Sequence, residues 1–224
     1  MANCLIVGAS RGIGRELARQ YAAQGERVIA TYRDPEHGKQ LAAFCARSIE
    51  VDVLLPGWAP ALAAELASET IDIAILVAGV TGPQAAALAP PGREDFDAVM
   101  HTNVLAAMEL IPLLADPLAA TRGKLAVLSS RMGSIAMMGD ASWWLYRASK
   151  AALNSVLKSA SLELGRRAVT CMTLHPGWVR TEMGGPGADL SVEESAKSLR
   201  RVIGAANHSH NGRFLNYNGE QLEW

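Results

Sequence analysis

Tyr146 and Lys150 stand four positions apart, with Arg147, Ala148 and Ser149 between them. On a helix that spacing puts both side chains on one face, about one turn from each other. A phenol is a poor acid near neutral pH, and an ammonium held beside it favours the phenolate and lowers its pKa. The pair reads as a general acid/base for carbonyl chemistry. Taken alone, the same pentapeptide fits a surface helix with an amphipathic tyrosine and a solvated lysine. A second cluster lies at the other end of the chain: Gly8-Ala9-Ser10-Arg11-Gly12-Ile13-Gly14 follows the apolar run Leu5-Ile6-Val7. Glycines after a strand and before a helix let backbone approach a pyrophosphate, and the helix N-terminus supplies free N–H groups and a positive dipole end.

Both clusters need elements to hold them. Leu5 to Val7 reads as a buried strand, and Ile13, Leu17 and Tyr21 recur at helical spacing up to Gly25. Arg27 to Tyr32 reads as a second strand, followed by Arg33 and Asp34. An arginine at that point suits the 2′-phosphate of NADP, with Arg11 able to join it, and an acidic residue suits the ribose hydroxyl of NAD. Arg33 favours NADP(H) and Asp34 dissents; the two side chains pairing at the surface is the other reading.

The alternation continues. Pro35 to Arg47 is expected to be a helix, Ile49 to Val51 a strand ending at Asp52, Pro60 to Ser68 a helix, and Ile71 to Val77 a strand closed by Ala78-Gly79. Gly92 to Leu118 is helical in periodicity, with Pro112 predicting a kink or break. Asn103 sits in that helix among apolar neighbours, where it must find partners: it either caps a loop or holds a water. Lys124 to Leu128 is the fifth strand, with Ser129-Ser130 at its end. Asp140 or Ser142 is expected to cap the long helix that carries Tyr146 and Lys150 and ends at Gly165. Val169 to Leu174, Val192 to Ala205 and Arg213 to Asn216 complete a strand, a helix and a short closing strand, with a turn at Asn218-Gly219. The prediction is one α/β domain over 1–224: a Rossmann fold, doubly wound around a mainly parallel sheet of about seven strands, with a substrate loop at about 177–195.

Composition narrows the function. The chain has 224 residues, 50% hydrophobic, and a formal net charge of −1. No basic block argues for nucleic acid or an anionic membrane. The N-terminal apolar run is too short for a signal peptide, and no stretch is expected to span a bilayer. Cys4, Cys45 and Cys171 are far apart, fit no metal spacing, and read as reduced thiols of a cytoplasmic protein. His208 and His210 lack a third ligand nearby, so no metal is expected.

Taken together, these motifs resemble the short-chain dehydrogenase/reductase family from end to end, most closely its C-factor and sniffer-type carbonyl reductase branch. The resemblance rests on Gly8 to Gly14, Asp52-Val53, Ala78-Gly79, Asn103-Val104, Ser129 to Gly133, Tyr146 to Leu153, His175 to Gly185, and Phe214 to Tyr217. It implies that Tyr146 is the general acid for carbonyl reduction, Lys150 binds the nicotinamide ribose and lowers the Tyr146 pKa, Ser130 hydrogen-bonds the substrate oxygen, and Asn103 holds a water linking Lys150 to solvent. Gly8, Arg11, Ile13 and Arg33 would line the phosphate and adenosine end, Asp52 and Val53 flank adenine, and Pro176, Gly177 and Thr181 border the nicotinamide. Ser10, Gly12, Gly14, Ala78, Gly79 and Val179 complete the implied cofactor contacts.

Two departures stand out. Leu76-Val77 precede Ala78-Gly79 where the family usually has asparagine, so local hydrogen bonding must differ. Ser130 and Tyr146 are 16 apart, longer than the family's commonest spacing, with the extra length in the loop around Met137 to Asp140. Ser134 is a weaker alternative to Ser130. The expected activity is NAD(P)H-dependent reduction of a ketone, aldehyde or quinone by a homodimer or homotetramer. The alternative is a dinucleotide-binding signalling protein of C-factor type.

Overall fold

The short apolar runs become strands of one all-parallel sheet: β1 (Asn3–Val7), β2 (Arg27–Tyr32), β3 (Arg47–Glu50), β4 (Ile73–Leu76), β5 (Lys124–Leu128), β6 (Thr170–His175) and β7 (Arg213–Asn216). Their order is β3-β2-β1-β4-β5-β6-β7. The computed structural model describes residues 1–84 and 89–224. Between the strands run α1 (Gly12–Ala23), α2 (Pro35–Ala42), α3 (Trp58–Glu65), α4 (Arg93–Met100), α5 (Ala106–Thr121), α6 (Trp144–Arg166) and α7 (Val192–Ala205).

Successive strand residues point to opposite faces, and both faces are covered, which is why the central strands β1, β4 and β5 are largely apolar, while the edge strand β3 (Arg47-Ser48-Ile49-Glu50) is not. Leu5, Val7, Leu125 and Val127 pack beneath α3, α5 and α6 with Leu62, Leu110, Leu114 and Leu157. Cys4, Ile6, Ala126 and Leu128 pack on the other face beneath α1, α2 and α7 with Leu17, Leu41 and Leu199. The sheet order reverses between β1 and β4. In open α/β sheets the crevice outside the carboxyl ends of the strands at such a switch point is where ligands bind.

Several boundaries differ from the sequence reading. The helix expected over 35–47 stops at Ala42, and the third strand begins at Arg47. The helix through Pro112 does not break there. Its irregularity lies two turns earlier, where His101–Leu105 form a π turn between α4 and α5. Neither Asp140 nor Ser142 caps α6: the N-cap is Trp143, in left-handed backbone (φ 58°) with no capping side chain. Gly165 does not end α6. The reversal comes at Ala168 (φ 63°), and Gly165 is needed instead because a Cβ there would lie 2.4 Å from Asn211 Nδ2.

One expectation needs correction on composition. The continuous helical stretch Arg93–Thr121 is long and apolar enough to cross a membrane, with mean hydropathy 1.5 in its most apolar window. Here its inner stripe, Leu110, Leu114 and Leu118, is fully buried against the sheet.

Candidate active site

Tyr146 and Lys150 lie in the first two turns of α6, and both are buried. Lys150 Nζ sits 5.8 Å from the Tyr146 ring centre and donates to the carbonyl of Leu128, the last residue of β5 (3.0 Å). The chain leaving β5 then brings Ser129 and Ser130 to the same place. Ser129 Oγ reaches the Lys150 carbonyl (3.4 Å), while the Ser130 hydroxyl stands against the Tyr146 phenol. Ser130 Oγ also accepts from Met132 N (3.1 Å), capping a short 3₁₀ turn that fixes the serine. Ser134 is buried too, but its hydroxyl accepts from Met137 N and closes its own turn. Of the three serines, Ser130 is the one whose hydroxyl stands against the Tyr146 phenol.

Asn103 arrives from the π turn. Its amide pairs with both backbone groups of Val80, Oδ1 accepting from Val80 N and Nδ2 donating to Val80 O, each at 2.8 Å. Nδ2 also donates to Ser149 Oγ (2.9 Å), and that hydroxyl donates to the Tyr146 carbonyl (2.8 Å). Asn103 thus ties the segment after β4 to the helix that carries Tyr146. Ser149 and Val80 were not singled out in the sequence. The only signal for Ser149 was its place between Tyr146 and Lys150. Gly79 allows the convergence: a Cβ there would come within 3.1 Å of Lys150 Nζ and 3.2 Å of Asn103 Oδ1.

Burial dominates the titration of this cluster. It pushes the Tyr146 phenol up to about 12, with the Ser130 hydroxyl pulling the other way, so the expected net lowering by Lys150 is not what the geometry gives. Burial brings Lys150 down to about 8. His175, at the end of β6, is brought down to about 4 by burial and by Arg131, so its imidazole is neutral near pH 7. A lysine whose folded pKa lies below its unfolded value destabilises the fold wherever it is forced to stay charged. That burden is fully present below about 8 and is relieved as pH rises towards the unfolded value. Lys150→Met is therefore expected to raise Tm at pH 7 while abolishing turnover, and its advantage over wild type should shrink between about pH 8 and 10. Thermal scans at both pH values check this; a destabilised variant at pH 7 refutes it.

The nucleotide end forms at the switch point. Gly8 N donates to Thr31 Oγ1 (2.9 Å) and Ala9 N to the Thr31 carbonyl (2.8 Å), which docks the glycine loop on the end of β2. Gly8 has φ 93°, and a Cβ there would lie 2.6 Å from Ala78 N. Gly14 is packed tighter still: a Cβ would lie 2.1 Å from the Gly8 carbonyl oxygen. Gly12 has φ 53° and faces Thr181. Arg11 is the N-cap of α1 but offers no capping side chain, and the first turn holds no acidic residue. The N–H groups before and around Ile13 and the positive end of the helix dipole are left for an anion.

Ser10 Oγ accepts from Arg33 N (3.2 Å), so glycine loop and selector residue are joined. Asp34 is not paired with Arg33. Its carboxylate caps α2, accepting from Glu36 N (2.9 Å). The Arg33 side chain is exposed and makes no hydrogen bond or ion pair among the described residues. Asp52 and Val53 follow β3, where Asp52 Oδ1 accepts from Leu54 N (3.0 Å), and Val53 faces a cavity of about 20 Å³ beside Ala78 and Asn103. These residues fit a dinucleotide: a cradle that side chains would fill, an uncompensated helix end and an unpartnered arginine.

The chain after β6 closes the site. Pro176 O accepts from Ser195 Oγ (2.7 Å), and Gly177 turns with φ 84° where a Cβ would lie 2.4 Å from Leu190. Val179 pairs with Leu190, and Arg180 Nη1 donates to the carbonyls of Ala188 and Asp189 (both 2.9 Å). Thr181 Oγ1 accepts from Gly184 N (3.0 Å). The segment expected as a substrate loop is thus a stitched excursion, joined to the glycine loop by the ion pair of Glu182 with Arg11.

The sequence matches the short chain dehydrogenase family model over residues 2–189. It is 35% identical over 168 residues to the C-signal protein of Myxococcus xanthus, covering 73% of this chain and 99% of that one. Its fold superposes on a carbonyl reductase from Pseudomonas aeruginosa PAO1 in complex with NADP with a TM-score of 0.89 and 37% identity, covering 100% of both chains. The carbonyl reductase Sniffer of D. melanogaster superposes equally well, at TM-score 0.89 and 29% identity over 100% of both chains. With a glycine cradle at one end of the switch-point crevice and the Ser130, Tyr146 and Lys150 cluster at the other, the chain is an oxidoreductase of the short-chain dehydrogenase family.

Proposed function

We propose that the protein is an NADPH-dependent carbonyl reductase acting on a ketone, aldehyde or quinone. The observation that carries this reading is the buried convergence of Tyr146, Ser130, Lys150 and Asn103 at the carboxyl ends of β4 and β5. The glycine loop would hold the pyrophosphate, Lys150 the nicotinamide ribose, and Pro176, Gly177, Val179 and Thr181 the nicotinamide side. The cofactor, when bound, supplies the hydride. Tyr146 gives its phenolic proton to the substrate oxygen, and Ser130 donates a hydrogen bond to the same oxygen as charge develops there. A phenol raised to about 12 keeps its proton at neutral pH, which suits the reductive direction. Purified protein mixed with NADPH and a panel of ketones, aldehydes and quinones should consume the reduced nicotinamide; no consumption across the panel refutes the reading.

Arg33, without a side-chain partner among the described residues, supports NADPH over NADH, and Asp34, whose Oδ1 caps α2, is turned towards that helix rather than paired with Arg33. NADP is the cofactor in the P. aeruginosa carbonyl reductase complex. Arg33→Ala is expected to weaken NADPH binding by roughly 10- to 100-fold, the range of one charge-assisted contact, and NADH binding by less than about twofold. Nucleotide titrations check both, and equal losses for the two nucleotides would remove Arg33 from this role.

A homodimer or larger assembly is the accompanying proposal, in a cytoplasmic setting that suits three free thiols. Phe96, Leu105, Met108 and Leu113 on the α4–α5 stretch and Leu162 on α6 leave large apolar side chains in solvent. Light scattering at micromolar concentration should give at least twice the chain mass; a clean monomer sinks the proposal. The C-signal relative favours a second reading, a dinucleotide-binding signalling protein with little turnover. Tight NADPH binding with no turnover on the panel would support it.

A further inference from the structure

The residue after Tyr146 is Arg147, and it is buried: 8% of its side chain is accessible, against 58% for its partner Asp140. Arg147 Nη2 meets Asp140 Oδ2 at 2.6 Å, and Nε donates to the Ser142 carbonyl at 2.8 Å. Asp140 Oδ1 accepts in turn from Ser142 N (2.8 Å) and from the Ser142 hydroxyl. One guanidinium and one carboxylate close a ring over positions 140, 142 and 147. Planar, forked donors suit this better than the single point charge of a lysine.

That ring sits where the chain needs holding. α6 is preceded by its N-cap Trp143, a non-glycine residue in left-handed backbone with no capping side chain. Such a conformation persists only when its surroundings over-determine it. The loop from Ser130 to Ser142 is fixed at its other end: Asn154 Nδ2 donates to Gly133 O (3.2 Å), and a Cβ on Gly133 would lie 2.7 Å from Lys150 backbone. Between the two anchors Ala136 N donates to the Trp224 carbonyl (3.1 Å), Ile135 and Met138 project into solvent, and a Cβ on Gly139 would meet nothing within 4 Å. This is the extra length that separates Ser130 from Tyr146.

We propose that Arg147 is a positioning residue: with Asp140 and Ser142 it clamps the 134–142 loop beside Tyr146 and so decides which carbonyl substrates reach the phenol. The specificity part rests on the carbonyl reductase reading; the clamp itself does not. The loop presents the exposed apolar side chains of Ile135 and Met138, so the clamp governs large apolar carbonyl compounds that reach them more than small aldehydes that do not.

The variants are Asp140→Asn, conservative and at a half-exposed site, and Arg147→Lys, which keeps the charge and loses the fork. Hydrogen exchange of the 135–144 amides is read first, with no substrate required. Both variants should exchange faster there than wild type, with the amides of the sheet unchanged. Unchanged exchange at 135–144 in both overturns the clamp. Kinetics follow with one bulky aromatic ketone and one small aldehyde. KM for the ketone should rise on the order of tenfold in each variant, and the double variant should add little beyond either single one. Aldehyde KM, NADPH affinity and kcat should stay within about twofold of wild type. Faster exchange with an unchanged ratio of ketone to aldehyde KM, or an equal fall in kcat for both substrates, overturns the specificity role. Absence of turnover by wild type on any carbonyl overturns the reductase reading and the specificity role with it, while the exchange result still judges the clamp.

Discussion

Tyr146→Phe is expected to lower kcat by on the order of 10³-fold while leaving NADPH affinity within about twofold. The ring is buried and keeps its packing in the variant, so only the hydroxyl is lost. In wild type that hydroxyl stands against the Ser130 hydroxyl. Under the proposed mechanism, removing it deletes the proton donor and leaves Ser130 as a hydrogen-bond donor, so residual turnover above background is expected. The loss should appear in kcat and kcat/KM alike, as for an interaction made in the transition state. Turnover that survives the substitution intact would remove Tyr146 from the mechanism. The same variant separates the two functional readings: a signalling protein with little turnover would keep its cellular phenotype when the phenol is gone.

Gly14→Ala carries the largest expected structural effect. The added Cβ would stand 2.1 Å from the Gly8 carbonyl oxygen and 3.1 Å from the Ala9 Cα. Both are backbone atoms of the loop that docks on β2 through Thr31, so neither is the free end of a flexible side chain. Overpacking of this kind costs about 1–3 kcal/mol and sometimes more. With the contact against rigid backbone, a value near 3 kcal/mol is expected, or a Tm lower by roughly 6–12 °C for a domain of this size. Because the strain is relieved by pushing α1 away from the glycine loop, NADPH binding should weaken at temperatures where the fold persists. A Tm within about one degree of wild type, or unaltered nucleotide affinity, would contradict this account. Ala replacement at Gly25, where nothing lies within 4 Å but φ is 82°, provides the contrast: backbone strain without collision.

Much of the fold was legible because parallel strands buried on both faces declare themselves as apolar runs. α7 (Val192–Ala205) and β7 (Arg213–Asn216) fall where the sequence put them, and the structure adds the Ser191 capping box that starts α7. The failures share a cause. Gly165 looked like a helix stop, but it is a contact with Asn211, forty-six positions away in the chain. Asp140 and Ser142 looked like caps, but both are turned to Arg147. Whether Asp34 opposes or permits a 2′-phosphate depended on which backbone N–H its carboxylate captures, and composition carries no sign of that. The direction of the Tyr146 shift shows the same limit. Helical spacing put an ammonium near the phenol and argued for a lower pKa, whereas burial, which the spacing does not reveal, pushes the phenol up.

The π turn at His101–Leu105 has a consequence for how this helix tolerates a change in length. A π turn closes its ring one residue later than an α turn, so it stores one residue more than a regular helix needs. Downstream, Leu110, Leu114 and Leu118 set the stripe that faces the sheet; upstream, Val99 and Asn103 set another that faces Val80 and α6. The buried face is widest at the join, over Asn103, Val104, Ala106 and Ala107. Deleting one residue between His101 and Leu105 would let the backbone ladder run as uninterrupted α-helix. It would also remove the wide turn that aims Asn103, carrying its amide off Val80 and Ser149. The helix would gain regularity, and the segment that holds Lys150 and Tyr146 in place would lose its anchor.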